Sequence, residues 1–328
     1  MDFQILISNL TNPTLLFFLL GIVAALVKSD LEIPSSSVRF ISLYLLFAIG
    51  FKGGQELSHS PLGIEIIYSL VFGMVVAAVI PLYSFFILKR KLSVSDAAAS
   101  AAAYGSVSAV TFVAASTFLE SQQIPFGGHM VAVMALMESP AIIVGVILMM
   151  KYAAPEDIPA SSRSDTGLRN VLRHSLTNGS VLMLIGSLVI GSVADTKQAE
   201  GIKPFTTDIF KGFLAIFLLE MGMVTARRFS AFVRYGKFVT LFAIFAPLVN
   251  GLAAAVLSGL ITESEGNRFM FGVLAASASY IAVPAAMRIA APNADPGLYI
   301  PMALGVTFPF NITIGMPVYF FAVKHIKF

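Results

Sequence analysis

The sequence predicts an all-α, polytopic membrane protein of about ten transmembrane helices, arranged as a 5+5 inverted repeat with two broken helices. Composition, the distribution of charges and an internal correspondence between the two halves predict this fold. Of the 328 residues, 57% are hydrophobic and 12% are charged, whereas soluble domains carry about 25% charged residues. A chain with so few charges is typical of a protein whose surface faces lipid.

Long apolar stretches without the alternation of a β-barrel predict helices of spanning length, which need roughly 20 apolar residues each. The predicted spans are residues 3–27, 37–54, 66–88, 97–119, 126–150, 175–194, 205–226, 238–262, 269–287 and 296–323. The chain has no cysteine, so disulfides and thiol chemistry are excluded.

The lysines and arginines predict the orientation. With ten spans, fourteen of the 21 basic residues fall on one side, and positive charge is retained in the cytoplasm. We therefore expect a multi-pass protein of the inner (plasma) membrane with both termini extracytoplasmic and the polar 153–174 loop cytoplasmic.

The two halves of the chain resemble each other weakly but in order. Pro81 matches Pro247, each within a clean apolar run. We expect a first five-helix repeat at 1–152, a cytoplasmic linker at 153–174, and a second repeat at 175–328. Five spans per repeat is an odd number, so the second repeat enters from the opposite side, as in many secondary transporters. The alternative is an old duplication without mechanistic meaning.

The fourth and ninth spans have polar centres. They hold Gly105, Ser106, Ser108 and Thr111 in one span, and Ser277, Ser279, Tyr280 and Pro284 in the other. Proline has no N–H and blocks the carbonyl four residues earlier, so the ninth helix is expected to kink or stop at Pro284. Half-helices that begin inside the membrane direct N–H groups and a positive dipole end toward the gap.

These features predict a small-anion site formed by Gly105, Ser106, Ser108, Thr111, Ser277, Ser279 and Tyr280. The alternative for each serine is close packing between helices, for which small residues are also favoured.

A coupling cation is predicted beside the anion. Glu138 lies inside the fifth span, and an intramembrane carboxylate is a functional candidate by default. The candidate sodium ligands are Glu138, Ser108, Thr111, Ser279, Thr307 and Asn311. Proton coupling through Glu138, and a purely structural Glu138 near a span end, both remain open.

Nothing in the sequence indicates an enzyme or an organic cofactor. The four histidines lack metal-ligand spacing, and no nucleophile elbow or phosphate-binding loop occurs. The short basic loops give no support for nucleic-acid binding.

The residues around the two breaks resemble the sodium-dependent bicarbonate transporters of the SbtA type. The resemblance rests on Gly105 to Glu120, on Met137-Glu138-Ser139-Pro140-Ala141, and on Ala275-Ala276-Ser277 with Pro284 and Arg288. It implies sodium and bicarbonate bound at the two breaks, a core moving against a scaffold, a homotrimer, and a PII-like regulatory protein on the cytoplasmic side. The chain departs from the family pattern at Tyr280, where the family has an acidic residue.

The sequence therefore predicts a secondary transporter that couples uptake of bicarbonate or a similar small anion to sodium by elevator-like alternating access. A transporter of a small organic carboxylate and a passive anion channel are the alternatives.

Overall fold

The computed structural model describes residues 12–59, 63–153, 173, 179–232 and 236–326. These residues are almost entirely helical and contain no strand, which confirms the predicted fold class. The helices are α1 (Pro13–Leu26), α2 (Ser35–His59), α3 (Ile64–Leu88), α4 (Val94–Gly105), α5 (Ala109–Ser121), α6 (His129–Tyr152), α7 (Gly179–Val193), α8 (Thr196–Glu200), α9 (Phe210–Phe232), α10 (Lys237–Leu257), α11 (Glu265–Ala276), α12 (Ala282–Ala290) and α13 (Pro296–His325). Most of the predicted 153–174 linker, and residues 3–11 of the first predicted span, lie outside the described residues.

The helices follow the predicted order of spans. Seven described stretches are long and apolar enough to cross a bilayer, one of which joins α4 and α5. Helices α1 and α7 are apolar but shorter, and the α11–α12 pair lies where the ninth span is predicted. The polytopic fold is confirmed, while the count of ten crossings stays a prediction.

The exposed face of α3 is suited to lipid. Its exposed large side chains recur every three or four residues, in one stripe made of Ile64, Ile67, Tyr68, Val71, Val75, Val79, Leu82 and Phe86. A contiguous apolar stripe of this length cannot face water in a stable soluble protein. The stripe therefore agrees with a membrane environment.

Two helix pairs have very close crossings, α1 with α9 and α2 with α7. A side chain at Gly222 of α9 would collide with the Phe18 carbonyl of α1, and one at Gly191 of α7 would collide with the Phe51 carbonyl of α2. Glycines permit such close approach of helices in membranes. Helix α9 also packs on α2, so we refer to α1, α2, α7 and α9 as the four-helix group.

The remaining long helices form a core group, which we define as α3–α6 and α10–α13. Within it α3 packs on α6, α10 on α11, and α5 on α11. Small side chains line α4, whose six alanines are all buried, as is every other residue from Ala97 to Gly105. The two broken helices therefore lie inside the core group rather than at its lipid-facing surface.

The first break falls where the sequence predicts it. Helix α4 ends at Gly105, which packs against the ring of Pro81 on α3 so closely that a Cβ would collide with it. Ser106 and Ser108 are extended, and Ser108 caps α5 by accepting the Thr111 N–H at 3.2 Å. A hydroxyl cap satisfies one of the N–H groups that the new helix leaves open.

The second break lies earlier than predicted. Helix α11 ends at Ala276, and α12 begins at Ala282. Pro284 is the third residue of α12, not the point of interruption, so the expectation of a stop at Pro284 is wrong. Proline is tolerated in the first turn of a helix because the N–H it lacks would have no intrahelical partner there.

Candidate functional site

The two breaks contact each other through two hydrogen bonds that main-chain N–H groups donate. The Ser108 N–H donates to the Ser277 hydroxyl oxygen at 3.0 Å, and the Ser279 N–H donates to the Ala103 carbonyl at 2.8 Å. Each bond uses a group that the end of a helix leaves open, the carbonyl in the last turn of α4 among them. The interruption in one half of the chain is thus stabilised by the interruption in the other.

The N-terminal ends of α5 and α12 converge on one small cavity of about 40 Å³. Ala109 and Val110 of α5 and Ala282 of α12 line it. The first N–H groups of a helix have no intrahelical carbonyl partner and carry the positive end of the helix dipole. The cavity is therefore set up to attract negative charge.

Polar side chains from both halves line the same cavity. They are Ser42, Ser108, Glu138, Ser180, Ser279 and Tyr280. Glu138 on α6 has no ion-pair partner among the described residues, which removes the described lysines as an explanation for its presence. Hydroxyls beside a carboxylate supply the oxygen ligands that a hard cation requires.

Two buried hydroxyls at the breaks have no hydrogen-bond partner among the described residues. They are those of Ser106 and Tyr280. A buried polar group without a partner costs free energy, and in native proteins it usually indicates a ligand, water or function that satisfies it. The Tyr280 hydroxyl lies in the cavity wall, where the Ser108 side chain is near enough to interact with it. No hydrogen bond of normal geometry engages it among the described residues, so it is available to a ligand.

Several predicted site residues lie beside the cavity rather than in its wall. Gly105 and Ser106 are buried at the end of α4, and Thr111 donates its N–H to Ser108 one turn into α5. Ser277 uses its hydroxyl twice, as acceptor from Ser108 and as donor to the Leu274 carbonyl at 2.8 Å. These residues hold the shape of the breaks.

Thr307 and Asn311, predicted as sodium ligands, bond to other groups. The Thr307 hydroxyl donates to the Ala243 carbonyl at 2.7 Å and also contacts the Tyr104 hydroxyl at 2.7 Å. The Asn311 side chain donates to the Ala276 carbonyl at 2.8 Å, and its oxygen accepts from Tyr319 at 3.0 Å. Neither residue lines the cavity with Ser108, Glu138 and Ser279.

Asn311 thus satisfies the last carbonyl of α11, an open group at the end of that half-helix. Both side chains support the breaks from α13, a role that the residue types alone do not distinguish from ligation.

Sequence reasoning missed other polar groups that belong to this region. Ser42 on α2 and Ser180 on α7 bring the four-helix group to the cavity wall. Tyr104, fully buried, links α4 to α13 through Thr307. Single serines and tyrosines in apolar spans carry no signal of their own, because their partners are set by tertiary contacts.

No cluster of three or more His, Asp and Glu side chains with metal-binding geometry occurs among the described residues. The cavity offers one carboxylate and several neutral hydroxyl oxygens. This set is compatible with a weakly bound monovalent cation.

The fold and the cavity define a class of protein. Interrupted helices that direct their half-helix ends at a polar site within a membrane bundle are the hallmark of secondary transporters. A family model described as the Na⁺-dependent bicarbonate transporter superfamily matches residues 13–324, and the chain belongs to that superfamily. No curated protein matches the chain.

Proposed function

We propose that this protein takes up bicarbonate, or a similar small inorganic anion, together with sodium by alternating access. The observation that carries the proposal is the cavity at which the N-terminal ends of α5 and α12 meet Ser108, Glu138, Ser279 and Tyr280. Membership of a sodium-dependent bicarbonate transporter family agrees with this chemistry.

The anion is proposed to lie against the two helix ends. N–H groups and hydroxyls donate to an oxyanion, and helix termini favour negative charge. The sodium ion is proposed to lie between the anion and Glu138, with oxygens of Ser108 and Ser279 among its ligands. Opposite charges in one buried site shield each other, so the two ions stabilise each other's binding, which is the basis of coupling.

The size of the cavity favours a small anion. Its volume is about 40 Å³, and a water-sized probe occupies roughly 10–15 Å³. An inorganic oxyanion fits this space with little rearrangement. A small organic carboxylate is the second candidate, because an adjoining cavity of about 970 Å³ carries Arg39 and Arg227 and shares Tyr280 with the site.

The helix packing supports an inverted repeat. If α1 and α2 of the first half correspond to α7 and α9 of the second, then the α1–α9 contact corresponds to the α7–α2 contact. Both contacts are close and glycine-mediated. The contacts of α5 with α11 and of α4 with α12 correspond in the same way. A two-fold relation of this kind allows the two groups to exchange inward and outward access.

The division into two helix groups supports an elevator-like movement, in which the core group carries the site past the four-helix group. A homotrimer, and a PII-like protein bound on the cytoplasmic side, are further proposals that rest on the family resemblance alone. We also propose the inner (plasma) membrane, with both termini extracytoplasmic.

The test is flux of radiolabelled bicarbonate into proteoliposomes with and without an inward sodium gradient. Sodium-driven accumulation above the external concentration is expected, whereas a passive channel only equilibrates the label. Radiolabelled small carboxylates are tested in the same assay, and sodium-driven carboxylate uptake without bicarbonate flux would show that bicarbonate is not the substrate. A reporter fused after Phe328 should be extracytoplasmic and one inserted at 160–165 cytoplasmic, and the reverse result would overturn the topology.

A further inference from the structure

A series of cavities follows helix α2 from one end to the other. The adjoining cavity includes Arg39 and Ser42, the site includes Leu46, and a third cavity of about 290 Å³ includes Lys52. A fourth, outer cavity includes Gln55. With a rise of about 1.5 Å per residue, this series covers roughly 24 Å of α2. Helix α2 therefore borders a candidate pathway through the whole molecule.

Among the described residues, the pathway is continuous on one side of the site only. The site cavity shares Ser42, Ser180, Tyr280 and Ile281 with the adjoining cavity, whose basic residues lie on the predicted cytoplasmic side. It shares no lining residue with the third cavity, on the predicted extracytoplasmic side. The structure thus corresponds to a site that opens toward the cytoplasm.

An ion-pair cluster lies on the closed side. The Lys52 amine is 2.9 Å from one carboxylate oxygen of Glu120, and the Lys211 amine is 3.3 Å from the other. Lys52 belongs to α2 and Lys211 to α9, both in the four-helix group. Glu120 belongs to α5 in the core group, so the cluster joins the two groups.

Helix α5 connects this cluster to the site. Its N-terminal cap is Ser108, in the site wall, and Glu120 lies in its last turn. A helix of this length is a stiff rod of about 18 Å between these two residues. Movement of the core group that displaces Ser108 must also displace Glu120 from the two lysines.

We propose that Lys52, Glu120 and Lys211 form the extracytoplasmic clasp of the transporter, which holds the site closed to the outside and opens when α5 moves. The inference rests on the proposed alternating-access function and assigns a role to residues outside its binding site. Glu56 and Asp208 line the same cavity, so the lysines keep acidic neighbours after Glu120 departs.

The clasp has the strength that a reversible contact needs. The side chains of Lys52, Lys211 and Glu120 are 45%, 60% and 40% exposed, and ion pairs at this exposure each shift an equilibrium by up to about fivefold. The pair of contacts biases the conformational equilibrium without locking it. A fully buried ion pair would be far more costly to break.

The test measures access to the third cavity from outside. The chain has no cysteine, so Ser116→Cys places one thiol in that cavity, and a membrane-impermeant maleimide added to right-side-out vesicles reports its accessibility. Glu120→Gln should accelerate labelling about three- to twentyfold. The matched control is Glu263→Gln, an exposed acidic residue of the predicted extracytoplasmic loop after α10, and it should leave the rate unchanged.

Charge reversal separates an electrostatic clasp from local packing. Glu120→Lys should accelerate labelling further, and combining it with Lys52→Glu and Lys211→Glu should restore slow labelling. If Glu120→Gln does not fold, Lys52→Met with Lys211→Met must give the same acceleration. Labelling rates equal to the control in the folded variants would overturn the clasp.

Failure of the clasp and failure of the proposed function give different results. Labelling needs no substrate. If the clasp variants label as expected but the parent protein shows no bicarbonate flux, only the proposed substrate is wrong. Unchanged labelling alongside sodium-driven bicarbonate flux would remove the clasp and leave the transport function in place.

Discussion

The two helix breaks differ in length and in what their hydroxyls do. The first spans three residues, and its Ser108 hydroxyl is engaged as the cap of α5. The second spans five, its Ser279 hydroxyl contacts the Val283 N–H at the long distance of 3.5 Å, and its Tyr280 hydroxyl has no partner among the described residues. The first break is therefore the more constrained, and the second has more hydroxyl groups free to bond to a ligand.

This difference suggests that the two breaks, one in each half of the chain, contribute differently to the cavity that they share. The first break supplies a fixed helix end, and the second supplies hydroxyls that can reorient. Glu138 lies between them on α6 and supplies the negative charge. Substitutions at the three places should therefore affect different measured quantities.

Glu138→Gln should have the largest effect, on the sodium dependence of uptake. Loss of a charged ligand costs about 1.5–3 kcal/mol, so half-maximal uptake should require roughly 10- to 150-fold more sodium. Sodium titration of flux in proteoliposomes measures it, with Glu263→Gln as the control. An unchanged sodium dependence in folded Glu138→Gln would mean that Glu138 is structural and is not a sodium ligand.

Ser279→Ala should lower the apparent affinity for the anion about tenfold or more, because it removes a hydroxyl predicted to bond a charged ligand. Ser108→Ala removes the same group from the other half but also a helix cap, which contributes ~1 kcal/mol to stability. It should therefore lower both the affinity and the melting temperature, whereas Ser279→Ala should lower the affinity alone.

The control for this pair is Ser84→Ala, a buried serine of α3 away from the cavity. If Ser108→Ala and Ser279→Ala both bind and transport like the parent, the shared site is wrong and these serines are packing residues.

Ser277→Ala tests the contact between the breaks. The Ser277 hydroxyl accepts the Ser108 N–H inside the protein, and an N–H left without a partner there costs about 1–3 kcal/mol. The melting temperature in detergent should fall clearly. Ser116→Ala is the matched control, since its hydroxyl also donates to a carbonyl three residues earlier but accepts no bond across the breaks. Equal melting of the two variants would mean that the Ser108–Ser277 hydrogen bond does not stabilise the breaks.

The sequence was sufficient for the fold class, the order of helices and the existence of both breaks. The first break was predicted at the correct place because the stretch Gly105-Ser-Val-Ser disfavours helix. The second was predicted too far along the chain, because a proline in the first turn of a helix cannot be distinguished in sequence from a proline at a break. Thr307 and Asn311 were predicted to bind sodium because they are polar residues in the middle of a span. In the structure, each donates to a backbone carbonyl and also bonds to a tyrosine hydroxyl.

The Lys52–Glu120 contact joins residues 68 positions apart in two helix groups. No local pattern encodes such a contact, because ion pairs between distant helices depend on how the groups dock. The individual helices and the polar residues at their centres could therefore be predicted from the sequence. The contacts that close one side of the pathway could not.

Tyr280→Phe is the smallest expected effect and gives the sharpest comparison with the first break, because its two consequences have opposite signs. The buried hydroxyl has no partner among the described residues, so its removal should leave the ligand-free protein as stable as the parent or slightly more stable. If the hydroxyl donates to the anion, the same substitution should weaken anion binding about two- to twelvefold, the effect of one neutral hydrogen bond.

Tyr104→Phe is the matched control, since the Tyr104 hydroxyl already contacts Thr307 at 2.7 Å. It should destabilise the ligand-free protein and leave the affinity nearly unchanged. Melting curves with and without bicarbonate and sodium measure both quantities on the same samples. A Tyr280→Phe variant that melts higher without ligand, and gains as much from added ligand as the parent does, would exclude Tyr280 from the site and restrict the second break's contribution to Ser279 and the end of α12.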